Sequence, residues 1–77
     1  MQAKDLKPDH AYMVKGSDSA VIVTDVRTNL SPALVHGVQA VVKGGKVATG
    51  PGGEPLDMGI QWTGHPHDLA KPAELAD

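Results

Sequence analysis

The sequence predicts an all-β domain, a small open barrel of about five strands followed by a short helical or disordered C-terminal tail. Three features carry that expectation: short β-branched runs, turn-forming clusters between them, and little that reads as helix. We assign the barrel to residues 1–64 and the tail to residues 65–77.

Leu6-Lys7-Pro8-Asp9 is a turn, because Pro fixes φ for a tight corner and Asp can close a hydrogen bond onto the backbone. A first strand follows over 11–15, where Tyr12 and Val14 alternate with Met13 and Lys15. Gly16-Ser17-Asp18-Ser19 is a dense turn cluster. The strongest strand is 20–26, Ala20-Val21-Ile22-Val23-Thr24-Asp25-Val26, short and β-branched between turn residues. After the loop 28–32 a third strand is predicted over Leu34 to Lys43, with Gly37 marking a bulge or a close backbone approach. Gly44-Gly45 between Val41-Val42-Lys43 and Lys46-Val47-Ala48 has the freedom for positive φ that a two-residue hairpin turn needs. The fourth strand is cut short by the loop Gly50-Pro51-Gly52-Gly53-Glu54-Pro55, whose prolines cannot donate to a ladder. Leu56 to Thr63 is the fifth strand, with Met58, Ile60 and Trp62 on one face and Gly59, Gln61 and Thr63 on the other. Gly64-His65-Pro66-His67 ends it, and the last ten residues are helix formers interrupted by Pro72, a short helix or a frayed end.

Seventy-seven residues make one domain at most. A chain this short buries roughly 60–65% of its unfolded surface. With no Phe, one Trp and one Tyr, its core rests on Val, Leu, Ile, Met and Ala. It has no cysteine, so no disulfide or thiolate-held metal reinforces it, and small domains without such staples often gain stability by association. Seven basic and nine acidic residues are scattered along the chain for a net charge of −2, with none of the basic runs that phosphate neutralisation requires. No apolar run is long enough to span a bilayer, and Met1-Gln2-Ala3-Lys4-Asp5 leads into no apolar segment of secretory type. A cytoplasmic protein is therefore expected.

The opening Lys4-Asp5-Leu6-Lys7-Pro8, its polar corner and the Tyr12-Met13-Val14 strand resemble the first strand of SH3-like small barrels. The same opening is similar to that of small proteins encoded by phages of actinobacteria, as is the Ala-, Gly-, Val- and Asp-rich composition. In many of these barrels glycine follows the proline; here Asp9 stands there. The resemblance implies an SH3-like open barrel acting as a binding module in a host cytoplasm, and it brings no functional residue with it. Barrels of the KOW type begin similarly but carry a basic surface that this chain lacks.

Four groups of residues are candidates for chemistry or binding. His65-Pro66-His67-Asp68, with His10 and His36 elsewhere, gathers metal-ligating types, but a proline between two histidines gives neither helical nor finger spacing. The glycines of 44–53 lead into a strand rather than a helix, so they are a hairpin turn and a loop instead of a phosphate cradle. Ser17, Ser19 and Ser31 lie in turn clusters with no motif that would activate them. Tyr12, Met13, Met58 and Trp62 are the large or adaptable apolar residues, the types enriched at interaction hot spots, with Trp62 weighted toward the core. The expected function is a non-enzymatic interaction module that binds a host protein, with no catalytic, cofactor or metal site. The alternatives are a virion or capsid accessory or decoration protein acting as a homo-oligomer, and a nucleic-acid-binding barrel. No membrane or small-molecule partner is expected.

Overall fold

The first turn sets the frame of the molecule. Pro8 and Asp9 reverse the chain, and Asp9 takes φ +68°, the left-handed conformation in which glycine is at ease and Asp is tolerated. Its amide donates to the Val23 carbonyl at 2.7 Å, and the Val23 amide returns a bond to the His10 carbonyl at 2.9 Å. The corner is thereby stitched to the strand around Val23 before the first strand begins.

The computed structural model describes residues 1–76. After a 3-10 turn at Ala3–Asp5 come β1 (Ala11–Val14), β2 (Ala20–Arg27) and β3 (Leu34–Ala40). The short hairpin β4 (Val42–Lys43) and β5 (Lys46–Val47) follows, then β6 (Asp57–Gly64), a 3-10 turn at Pro66–Asp68, and β7 (Leu69–Pro72). A five-stranded antiparallel sheet runs in the order β6-β3-β2-β1-β7, and β4-β5 forms a separate two-stranded ribbon. The ribbon folds across one face of the sheet, giving the open barrel that the sequence predicts. It is tied to the C-terminal segment by a bridge between Val47 and Leu75, with Val47 N–H donating to the Glu74 carbonyl and Ala76 N–H to the Val47 carbonyl, each at 2.8 Å.

Strand β2 explains why the sheet curls. Ala20-Val21-Ile22-Val23 is buried along its whole length, so both of its faces are covered. Val23 joins Leu6, Tyr12, Val35 and Leu69 in one apolar cluster, while Ala20 and Ile22 join Ala11, Ala40 and Val47 in a second. Alternation along a strand sends neighbours to opposite faces, and a small chain with no Phe covers both by bending its sheet around them. Gly37 allows the closest approach: a Cβ there would stand 2.5 Å from the Ile22 carbonyl oxygen and 2.6 Å from Val21 Cγ1. Gly44 and Gly45, at φ +59° and +80°, make the hairpin turn.

Three expectations need revising. The third strand does not run through to Lys43; it stops at Ala40, where the Val41 amide turns to the Leu56 carbonyl at 2.9 Å and the ribbon departs. The segment assigned as a tail is part of the folded unit: after one 3-10 turn, Leu69–Pro72 pairs with β1, and Leu69 is fully buried. The last residue of that segment, Asp77, lies outside the described residues. Finally, Met58, Ile60 and Trp62 do not form one apolar face. Ala40 faces Asp57 and Val38 faces Gln61, so Met58, Gly59 and Ile60 together oppose Gln39 alone. That bulge, with Gly59 at φ +73° and its amide held by Asp57 Oδ1 at 2.8 Å, breaks the alternation.

Candidate functional site

The apolar residues singled out from the sequence go to different places. Tyr12 is a core residue, 3% exposed, and its correction as a partner-binding residue follows from its bonds. Its hydroxyl accepts the Lys7 amide at 2.9 Å and donates to the Asp5 carbonyl at 3.3 Å, so ring and hydroxyl both hold the opening turn. Met13 is half-buried against the second cluster, and Trp62 is half-buried against the first. Trp62 also lies over Gly64, where a Cβ would stand 2.5 Å from the indole ring. With Val14, Lys15, Thr63, His67 and Asp68 it lines a shallow groove of about 410 Å³. Of the four, Met58 alone stands out from the surface, 49% exposed.

His65 and Asp68 are occupied by local structure. Asp68 Oδ2 accepts the His65 amide at 2.8 Å and caps the 3-10 turn, while His65 Nδ1 lies 2.9 Å from the Ala33 carbonyl. The His65 and His67 rings stack at 5.4 Å, and His67 Nε2 lies 3.5 Å from Asp68 Oδ1. Among the described residues no three His, Asp or Glu side chains are grouped to hold a metal ion. The serines serve turns: Ser17 Oγ accepts the Ser19 amide at 3.0 Å. No helix among the described residues is long and apolar enough to cross a membrane.

What the structure does bring together is an apolar edge. Strand β6 is bonded to β3 on one side, and among the described residues no strand pairs with its other side. Along this edge and the loop leading into it, Leu56, Met58 and Ile60 are 40%, 49% and 50% exposed. The bulge is the cause: it lifts Met58 and Ile60 out of the ladder instead of alternating them into it. β6 contains no Lys, Arg or Pro, the residues that usually protect a sheet edge, and Asp57 is its one charge.

Beside this edge lies a groove of about 460 Å³ lined by Ile22, Thr24, Val38 and Pro55, with Asp9, Glu54 and Asp57 around it. A second groove of about 370 Å³ shares Asp9 and Pro55 with it and runs along Lys7, His10, Ala11 and Pro72. The two meet at Asp9, the residue held at positive φ. Ile60, Leu56 and Glu54 were not singled out from the sequence. A glycine inside an apolar strand, Gly59 next to Ile60, is the signal for a bulge that would have found the first of them.

Compared with protein-family models, curated proteins and solved structures, the chain matches none.

Proposed function

We propose that this chain is a non-enzymatic protein-binding module that receives its partner along β6 and the bulge. One observation supports the reading above the others: an eight-residue edge strand carries two half-exposed large apolar side chains and none of the usual protective residues. Such an edge offers backbone donors and acceptors to an added strand, and the exposed Met58 and Ile60 side chains at the bulge to specify it. A partner lying there would cover Met58 and Ile60 together with Leu56. The resemblance of the first strand to phage-encoded barrels makes a bacterial host protein the first partner to seek.

The test compares the chain with its Ile60→Lys and Met58→Lys variants as immobilised baits, after amide exchange has shown the three to be equally folded. The reading expects one protein enriched by the parent chain and lost with both variants. Equal capture by all three would remove β6 as the docking edge.

A further inference from the structure

We propose that the groove beside β6 receives the Lys43–Lys46 hairpin of a second copy of this chain. The proposal rests on the reading of the chain as a protein-binding module and adds an occupant for a second surface.

The groove is lined by apolar Ile22, Val38 and Pro55 together with Thr24 and the acidic Asp9, Glu54 and Asp57, and by no Lys or Arg. A lining that mixes apolar surface with carboxylates suits a group with an aliphatic stem and a cationic end, which is what a lysine side chain is. The β4–β5 hairpin presents two of them. Lys43, Gly44, Gly45 and Lys46 are all exposed, and the two glycines leave the tip without side chains, so the ammonium groups flank a narrow backbone loop.

Each molecule therefore carries both halves of a complementary contact, and no ion pair among its described residues engages either half. Among the described residues the ion pairs are Arg27 with Asp25 and His67 with Asp68; Lys43, Lys46, Asp9, Glu54 and Asp57 enter none. Oppositely charged surfaces of this sort steer encounter and fix register, while the affinity they give is modest and falls as salt is added. A chain with so small an aromatic content also gains from covering Val38 and Pro55, which are half-buried in the single molecule.

Sedimentation velocity of the full chain into the millimolar range, at low salt and at about 0.5 M salt, reads the proposal. Reversible self-association at low salt, weakened about tenfold or more at high salt, is expected. Lys43→Glu with Lys46→Glu abolishes it. So does Asp9→Gly with Glu54→Gln, a pair that leaves the fold intact because glycine suits the φ of +68° at position 9. Mixing the Lys43→Glu/Lys46→Glu variant with Glu54→Lys restores a mixed complex. The proposal is overturned by a monomer at every concentration and salt. It is equally overturned by association that ignores salt or survives both sets of charge changes. A monomer that still loses its captured partner on Ile60→Lys would overturn self-docking and leave the β6 reading in place.

Discussion

The two edges of the five-stranded sheet are built on opposite plans. β7 is four residues long, ends in Lys71-Pro72 and sinks Leu69 fully into the first cluster. Its neighbours tie it down further: Lys15 N–H donates to the Asp68 carbonyl at 2.8 Å and Ala73 N–H to the Ala11 carbonyl at 3.0 Å. β6 is eight residues long, is mostly exposed, and carries a bulge with two apolar side chains turned outward. A short edge with a lysine and a proline resists added strands; a long apolar one invites them. The difference separates an edge that stabilises the domain from an edge that is free to bind.

Substitutions can break that contrast in turn. The largest effect is expected at Leu69→Ala, where truncating a fully buried side chain leaves a cavity and costs about 2–5 kcal/mol. Urea denaturation measures it, and a loss below 1 kcal/mol, on the order of an exposed site, would mean that β7 does not anchor the sheet. Gly37→Ala, on the strand next to the β6 edge, forces a methyl against the Ile22 carbonyl and costs about 1–3 kcal/mol by the same measurement. Gly59→Ala meets no atom within 4 Å, so its cost is the backbone strain of φ +73° alone, about 1 kcal/mol. An unchanged stability there would place no demand for glycine on the bulge. Smallest is Ile60→Lys, expected within about 0.5 kcal/mol of the parent because the side chain is half exposed. Its consequence should appear in partner capture instead, and a large loss of stability would make Ile60 a packing residue after all.

The parts of the fold that were legible in the sequence are those fixed by local chemistry. β1 and β2 follow from alternation and β-branching, and Gly44-Gly45 turns as a hairpin because both residues take positive φ. What was not legible depends on distant neighbours. Lys71 and Pro72 argue against a strand by propensity, yet Leu69 is drawn into a cluster with Leu6, Tyr12, Val23 and Val35, and the residues after it follow β1. The third strand stops at Ala40 because Leu56 supplies a partner for the Val41 amide, a pairing across the glycine-rich loop that no local pattern encodes. At the candidate site Met58 was named among the apolar binding candidates, on a face shared with Ile60 and Trp62, and Ile60 was not. The bulge that sets three residues against Gln39 leaves Met58 and Ile60 exposed while Trp62 packs against the first cluster. Tyr12 shows the converse limit: an aromatic residue at the start of a small domain reads equally as a contact or as core, and two hydrogen bonds to the opening turn decide it.

The pairing of β1 with β7 also governs when the chain can become a domain. Tyr12 lies opposite Pro72 and Val14 opposite Leu69, so one side of the first strand waits for the seventh. During synthesis β1, β2 and β3 can meet as soon as they emerge, but the first cluster lacks Leu69 until that segment has left the ribosome. Completing that cluster requires closing a loop of more than fifty residues between β1 and β7, an entropic cost that no local hairpin carries. In the interval the nascent sheet has two unprotected margins in place of one, and its exposure to wrong partners is greatest just before it is complete.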